Sequence, residues 1–255
     1  MSAAALLELD NVSLSFGGLK AIAGLSLHVN PGEVLAVIGP NGAGKTSMLN
    51  LVTRVFNASG GRMRFKDTDL RQTPRQRIAH LGIARTFQNI ELFEAASVLD
   101  NLMLGRHRFD QGNWLQQMLR TPRLVALEEA HRAEVEAVIE FLELSPWRNA
   151  PVAGLPYGVR KVVELGRALC TRPELLFLDE PASGLNPEET RDLAFWIDDI
   201  RSDLGITVVM VEHDMSLVNA VADRVICMAQ GAVLAEGTAA EVQADPAVIA
   251  AYLGT

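Results

Sequence analysis

The octapeptide GPNGAGKT, residues 39–46, carries the residue types in this chain best suited to chemistry on phosphate. It follows the apolar run Val34 to Ile38 and precedes the helix-like run Ser47 to Val55, which is the strand-loop-helix context that gives G-x-x-x-x-G-K-[ST] its meaning. Glycines let backbone N–H groups turn inward around an anion, and a helix beginning near Gly44 adds the positive end of its dipole. A triphosphate is the natural occupant, and the alternative is a glycine-rich turn that binds nothing.

The loop also supplies a cation and a hydroxyl. We expect Lys45 to reach the β and γ phosphates, and Thr46 to ligate Mg²⁺, an ion that keeps several waters and takes few protein ligands. The predicted nucleotide contacts of this segment are Gly39, Pro40, Asn41, Gly42, Ala43, Gly44, Lys45, Thr46 and Ser47.

Two adjacent acids end the apolar run Leu175 to Leu178, which reads as a buried strand. Carboxylates in such a place are costly unless something there needs negative charge. We expect Asp179 to serve Mg²⁺ through a water. Glu180, which strand alternation points the other way, is expected to take a proton from the attacking water. An acidic pair that caps the next turn is the alternative.

Two further polar residues come directly after predicted strands. Gln88 follows Ile83 to Phe87 and could hold a metal-bound or attacking water, whereas His213 follows Thr207 to Val211. Taken alone, Gln88 is more typical of a solvated loop, and His213 is more typical of a helix-entry or packing residue than of a catalytic one. Ligands of open parallel sheets bind outside the carboxyl ends of the strands. We therefore expect the residues that follow these strands to lie together at one edge of the sheet. The residues that follow predicted strand ends there are Gly39, Gln88, Asp179 and His213.

The start of the chain predicts a small antiparallel sheet beside the nucleotide. Residues 6–16 alternate as one or two strands, and Leu25 to Val29 gives another. Phe16 could stack on an adenine face or could be a core residue of its strand, and both readings stay open. A polar helix is predicted over Pro74 to His80, and a strand over Arg62 to Lys66.

The middle of the chain changes character, because residues 89–151 show no strand pattern and their apolar residues recur at helical spacing. We interpret this stretch as a helical subdomain inserted into an α/β core, with Arg106 to Pro122, around Trp114, as an exposed loop and short helix. Another helix is predicted from Leu155 to Cys170. Near the end of the chain, helix caps are predicted at Asn186, Thr238 and Asp245.

Composition sets outer bounds on function. The chain has 255 residues, of which 49% are apolar, and this is enough to form the core of one large domain or of two lobes. Its net charge of -8 argues against nucleic acid as a partner. Cys170 and Cys227 lie in apolar stretches and read as reduced thiols. No apolar run nears the roughly 18 residues of a membrane span, and Met1 to Asp10 lacks a secretory signal. We therefore expect membrane association through a partner only.

With these residues in view, the chain resembles the ATP-binding subunits of ABC transporters over essentially its full length. The resemblance is carried by an ordered set: Phe16, GPNGAGKT, Gln88, the signature-like LPYGV, LLFLDE, the turn Ser183-Gly184-Leu185-Asn186, and His213. Within the family it is most similar to the high-affinity branched-chain amino acid uptake group. That narrower resemblance is carried by FGGLKAI, GIARTFQNIELF, the polar insertion near Trp114, EPASGLNPEET, VEHDM and AYLG.

The resemblance implies an α/β fold: a P-loop NTPase (RecA-like) core with a small antiparallel β subdomain and an inserted α-helical subdomain. The expected boundaries are 1–88 and 167–255 for the core and 89–166 for the helical subdomain, within a single nucleotide-binding domain. It implies that two subunits sandwich two ATP molecules, each between one subunit's phosphate loop and the other's signature helix. Leu155 and Gly158 of that helix are therefore expected nucleotide contacts.

The resemblance also implies roles and partners. The catalytic residues would be Lys45, Glu180 and His213, and the Mg²⁺ ligands would be Thr46, Gln88 and Asp179. The expected partners are a second ABC ATPase subunit (a paralogue or itself), transmembrane permease subunits that contact the surface from Asn89 to Arg106, and indirectly a solute-binding protein. The expected location is peripheral, on the cytoplasmic face of the inner membrane.

The chain departs from the family pattern in its signature, usually LSGGQ, where it carries Pro156 and Val159 instead of Ser and Gln, and at Asn186, where an Asp is usual. These changes weaken the half-site that the chain donates, so we hypothesise a non-identical ATPase partner. The alternatives are an ABC ATPase of a different transporter, for urea, amides or lipid export, and a soluble ABC ATPase outside transport. The second would normally carry two cassettes or a long coiled coil, and the chain has one GKT.

Overall fold

The computed structural model describes residues 4–109 and 122–253, with no side-chain description for 122–124. It divides into two compact units, one made of the residues up to Gln88 and from Glu174 onward, the other spanning Asn89–Pro173. The expected boundary at 166 falls inside the helix Tyr157–Leu169, which belongs as a whole to the second unit. Most of the predicted insertion, including Trp114, lies outside the described residues.

The first unit contains a six-stranded sheet in the order β10-β9-β3-β8-β7-β6. Its strands are β3 (Val34–Ile38), β6 (Ile83–Arg85), β7 (Leu175–Asp179), β8 (Thr207–Val211), β9 (Arg224–Ala229) and β10 (Ala232–Gly237). All neighbouring pairs are parallel except the hairpin of β9 and β10. Every residue of β3, β7 and β8 is buried, as expected of parallel strands covered on both faces.

A second, antiparallel sheet of the same unit has the order β2-β1-β4-β5. Its strands are β1 (Leu7–Phe16), β2 (Leu19–Val29), β4 (Gly60–Phe65) and β5 (Thr68–Asp69). This confirms the small antiparallel sheet. The strand β2 begins six residues before the predicted Leu25, because it pairs with β1 along its length, from Leu19 opposite Phe16 to Val29 opposite Leu7.

The α-helices of the described residues follow in chain order: α1 (Lys45–Val52), α2 (Val98–Met103), α3 (Pro122–Phe141), α4 (Tyr157–Leu169), α5 (Pro187–Ser202), α6 (Met215–Val221), α7 (Ala239–Ala244) and α8 (Pro246–Leu253). The predicted caps are present. Asn186 and Thr238 each form a capping box, and Asp245 Oδ1 accepts a hydrogen bond from the Ala247 N–H at 2.7 Å.

Two helix predictions need correction. The polar helix expected over Pro74 to His80 is instead a pair of 3₁₀ turns, Arg75–Arg77 and Ala79–Leu81, because so short a segment forms too few hydrogen bonds to offset helix nucleation. The helix α1 ends at Val52 and not at Val55, since Arg54 takes a left-handed φ of 58°.

The second unit is helical, as predicted. It holds α2, α3 and α4 with the 3₁₀ segments Leu104–Phe109, Ser145–Trp147 and Val152–Gly154. Its buried apolar residues include Leu99, Leu102, Val135, Ile139, Leu142, Leu144, Leu165 and Leu169. Among the described residues of the chain, no helix combines the length and the apolar character needed to cross a membrane.

Candidate functional site

The loop from Gly39 to Thr46 joins β3 to α1 in a conformation that requires glycine. Gly39 and Gly44 have φ values of 145° and 100°. A Cβ on Gly39 would lie 2.1 Å from the Met228 carbonyl oxygen, and one on Gly44 would lie 2.7 Å from the Ala21 carbonyl oxygen. Gly44 also caps α1 without a side-chain hydrogen bond. The first N–H groups of α1 therefore have no side-chain acceptor, which is the arrangement that favours an anion.

The Lys45 ammonium group lies inside this loop. Its Nζ donates to the Gly39 carbonyl at 2.6 Å and to the Pro40 carbonyl at 3.1 Å, and the residue is buried. Burial lowers the pKa of Lys45, while the nearby carboxylates of Glu180 and Asp179 act in the opposite direction. A buried cation gains from an anionic partner, so the loop is electrostatically suited to a phosphate.

The predicted residues of the first unit meet at one edge of the six-stranded sheet. Strands β3, β6, β7 and β8 are parallel neighbours in that sheet, so their carboxyl ends share an edge. Gln88 Nε2 donates to Glu180 Oε2 at 2.8 Å. The His213 side chain is 63% exposed, with its Nδ1 3.8 Å from Glu212 Oε2.

The orientation of Glu180 has a different cause from the predicted one. The strand β7 ends at Asp179, and Glu180 takes a left-handed φ of 50°. Its N–H donates to the Val211 carbonyl at 2.9 Å, and its own carbonyl accepts from the Ser183 N–H at 3.1 Å. Strand alternation therefore does not apply to Glu180, and the turn after β7 sets its direction.

Arg85 is a site residue that pattern reasoning missed. Its Nη2 lies 2.7 Å from Asp179 Oδ2, with side-chain exposures of 6% and 2%. Its Nη1 also donates to Asn50 Oδ1 at 2.7 Å, on α1. The guanidinium group thus compensates the Asp179 charge and links β7 to α1, the helix that follows the Gly39 to Thr46 loop. The available signal was an arginine inside an otherwise apolar strand, because a buried charge needs a partner.

Glu212 is a second residue near the site that the sequence analysis did not single out. It comes directly after β8 and immediately before His213, and it is fully buried. A carboxylate at the end of a buried strand was the signal used for Asp179, and it applies equally here.

The adenine-contact candidate, Phe16, ends β1 and is not a core residue. Its side chain is 47% exposed, unlike Val12 and Leu14 on the same strand, which are buried. Its ring lies 5.0 Å from that of Phe56 at an interplanar angle of 77°. Of the two readings, this exposure fits stacking on a base better than a core position.

The donor set suits Mg²⁺ held mainly by a nucleotide. Among residues 4–109 and 122–253, no group of three or more His, Cys, Asp or Glu residues could hold a metal ion. Mg²⁺ is usually held by one or two carboxylates, waters and substrate phosphates. The candidates Thr46, Gln88 and Asp179 offer a hydroxyl, an amide and a carboxylate oxygen, all hard donors of the type that Mg²⁺ prefers.

The remaining predicted contacts, Leu155 and Gly158, lie in the second unit at the start of α4, and both are buried. The helix begins at Tyr157, two residues after the predicted Leu155, because Pro156 has an extended ψ of 152° and occupies the N-cap. No side chain caps α4. In this respect the N-cap residue of α4 resembles that of α1, which also makes no side-chain cap hydrogen bond.

Two family models match the chain. One, described as "ABC transporter", covers residues 22–183, and the other, "Branched-chain amino acid ATP-binding cassette transporter", covers residues 232–255. The chain is 39% identical to the high-affinity branched-chain amino acid transport ATP-binding protein BraF of Pseudomonas aeruginosa, over 98% of each chain. It is 36% identical to LivG of Escherichia coli K12, of the same description, again over 98% of each.

A solved structure gives the same result for the fold. The crystal structure of a nucleotide-free ATP-binding cassette from an ABC transporter superimposes with a TM-score of 0.86 and 31% sequence identity. The match covers 99% of this chain and 100% of the other.

Proposed function

The chain belongs to the ABC transporter family of ATP-binding proteins, and we propose that it is the ATP-hydrolysing subunit of an importer for branched-chain or other hydrophobic amino acids. The observation that supports this most is the buried Lys45 in its glycine loop, within electrostatic reach of Glu180 and Asp179. The solute class is supported by similarity along the whole chain to proteins described as branched-chain amino acid transport ATP-binding proteins.

The first step is nucleotide binding. The backbone N–H groups of the Gly39 to Ser47 loop, to which Pro40 contributes none, surround the phosphates. Lys45 neutralises charge on the β and γ phosphates, and Phe16 stacks on the adenine. Burial of the Lys45 ammonium group favours an anion here, because the phosphate compensates the lost hydration.

The second step is attack by water on the γ-phosphate, in which the bond from the γ-phosphorus to the bridging oxygen breaks and ADP leaves. Glu180 accepts a proton from the water, Gln88 holds the Glu180 carboxylate through the 2.8 Å hydrogen bond, and His213 contacts the γ-phosphate. Thr46, Gln88 and Asp179 would hold Mg²⁺, which supplies charge neutralisation at the phosphate oxygens. Catalysis of this kind rests on positioning and electrostatics.

The second unit contributes to a partner's site. The uncapped start of α4, with Leu155 and Gly158, faces the nucleotide of a second ATPase subunit, a paralogue or another copy of this chain. Pro156 and Val159 remove side chains that a signature helix usually offers. A paralogue is therefore favoured, and the site that uses this chain's own Lys45, Glu180 and His213 is the fully competent one.

Transport requires membrane partners. The exposed apolar side chains Phe93 and Leu104, 62% and 46% exposed, lie in the Asn89 to Arg106 surface proposed to receive a permease subunit. The chain would then be peripheral, on the cytoplasmic face of the inner membrane. A solute-binding protein would act only through the permease.

Uptake of labelled leucine by cells that lack this chain tests the proposal. Complementation by the wild-type chain should restore uptake, whereas Glu180→Gln, expressed at the same level, should not. Unimpaired leucine uptake in the deletion strain would contradict the amino-acid proposal, and a loss of labelled urea uptake instead would change the solute class.

A further inference from the structure

Glu212 holds a carboxylate in a place where water cannot reach it. The residue follows β8 and has 0% relative exposure. A buried carboxylate is costly unless hydrogen bonds replace its hydration. Glu212 has three such hydrogen bonds, all from backbone N–H groups.

The three donors come from two different loops. Oε1 accepts from the Ala182 N–H at 2.8 Å, in the loop that follows Glu180. Oε2 accepts from the His213 N–H at 2.8 Å and from the Asp214 N–H at 3.0 Å, in the turn after β8. One side chain thus bonds the loop that carries the proposed base and the turn that carries the proposed γ-phosphate contact.

The backbone of Glu212 adds a third connection. Its own N–H donates to the Val37 carbonyl at 3.2 Å, on the strand that leads into the phosphate loop. The residue therefore contacts all three segments from which the proposed phosphate-handling side chains extend.

The histidine depends on this backbone support. Its ring is 63% exposed and lies 3.8 Å from Glu212, beyond hydrogen-bond distance. A side chain with so little packing of its own is directed mainly by the backbone that carries it. That backbone is held by Glu212 on one side and, on the other, by the Asp214 cap of α6, which accepts from the Ser216 N–H at 2.8 Å.

We propose that Glu212 is a positioning residue that couples the loop after Glu180 to the turn that carries His213, so that both reach the γ-phosphate in one fixed geometry. This inference rests on the roles proposed for Glu180 and His213. A carboxylate suits the task because it has two acceptor oxygens and no donor, whereas a glutamine amide would direct N–H groups at one of the loops.

Glu33 offers a matched control. It precedes β3 at the amino end of the strand, opposite to the edge that carries the site. Its carboxylate also accepts from a backbone N–H, that of Asn30 at 2.7 Å, and pairs with Arg224 at 2.6 Å. Glu33→Gln therefore removes a comparable carboxylate without touching the site.

The experiment compares Glu212→Gln, Glu212→Asp and Glu33→Gln in the full chain, assembled with its second ATPase subunit. Steady-state ATP hydrolysis gives kcat and KM, and hydrogen exchange without nucleotide gives the protection of the Ala182 and His213 amides. Glu212→Gln should lower kcat roughly 10- to 100-fold, as small misplacements of reacting groups do, with KM changed by less than about threefold. The two amides should exchange faster. Glu212→Asp should recover part of kcat, and Glu33→Gln should leave kcat unchanged.

Two results would overturn the proposal: a kcat of Glu212→Gln equal to that of Glu33→Gln, or unchanged exchange at both amides. Should Glu212→Gln fail to fold, the same comparisons apply to Glu212→Asp, whose shorter side chain cannot span both loops equally well. A wild-type assembly of this chain with its second ATPase subunit that hydrolyses no ATP would refute the proposed function instead, and amide exchange would still decide whether Glu212 couples the loops.

Discussion

The N-cap residues of α1 and α4 differ from those of the other helices with described caps in making no side-chain cap hydrogen bond. Side chains of Ser97, Asn186, Asp214 and Thr238 cap α2, α5, α6 and α7. The uncapped pair are the two helices proposed to face nucleotide phosphates, one in each unit. A helix start whose N-cap side chain accepts no hydrogen bond is open to water or a ligand as the acceptor. We therefore interpret these two uncapped helix starts as positions at which a phosphate accepts hydrogen bonds from the backbone.

The two helix starts also differ from each other. The start of α1 follows a left-handed glycine and carries the Lys45 ammonium group and the Thr46 hydroxyl. The start of α4 follows Pro156, and its first turn supplies Gly158 but no serine. The phosphate loop can therefore supply charge, hydroxyl and backbone, whereas the signature helix supplies mainly backbone and dipole.

The largest expected effect tests the phosphate-loop side. Glu180→Gln should lower ATP hydrolysis roughly 10²- to 10⁴-fold, because it removes the proposed general base. Nucleotide affinity should persist, since Lys45 and the loop are intact. Turnover and binding of a fluorescent ATP analogue measure the two effects separately.

A glutamate outside the site provides the control for that measurement. Glu188→Gln changes an exposed side chain in the first turn of α5 and should leave turnover within about twofold of wild type. Unchanged turnover in Glu180→Gln would remove that residue from the role of base.

The next largest effect is on the stability of the first unit, which contains the Gly39 to Thr46 loop. Arg85→Met leaves the buried Asp179 carboxylate without its ion-pair partner and should lower the free energy of unfolding by about 3–5 kcal/mol. In the second unit, the Arg148 and Glu136 pair is much more exposed, so Arg148→Met should cost far less. Denaturant unfolding of both variants at pH 7 measures the difference. Equal losses of unfolding free energy would mean that the buried Arg85 pair stabilises the chain no more than the exposed Arg148 pair.

The smallest expected effect concerns the start of α4, the proposed signature helix. Pro156→Ser supplies an N-cap hydroxyl to α4 and should stabilise the chain by about 1 kcal/mol, or roughly 2–4 °C in Tm. Pro156→Ala changes the same residue without a hydroxyl, so the difference between the variants isolates the cap. A lower Tm for the serine variant than for the alanine variant would show that the start of α4 does not need an acceptor.

Local sequence signals predicted the parts of the site that depend on nearby residues. The glycine loop, the capping boxes at Asn186 and Thr238, and the apolar parallel strands all have short-range causes. The common edge followed from the strand pattern, because parallel strands end on the same side of a sheet.

The remaining parts depend on long-range contacts or on unusual backbone geometry. Arg85 and Asp179 are 94 positions apart, and Glu212 and Ala182 are 30 apart, so no local pattern pairs them. The left-handed turn at Glu180 is unfavourable for a glutamate and is held by one hydrogen bond to the neighbouring strand β8 and one within the loop. These contacts therefore cannot be predicted from the periodicity of the sequence.

Thermal unfolding with and without Mg-ATP tests the central claim most directly, namely that the loop around Lys45 binds a nucleotide. At about 100 times the dissociation constant, ATP should stabilise the wild-type chain by roughly 2.7 kcal/mol. Lys45→Ala at the same ATP concentration should gain much less, because the cation that faces the phosphates is gone. A wild-type melt that does not respond to Mg-ATP, or one that responds equally in the Lys45→Ala variant, would contradict the account.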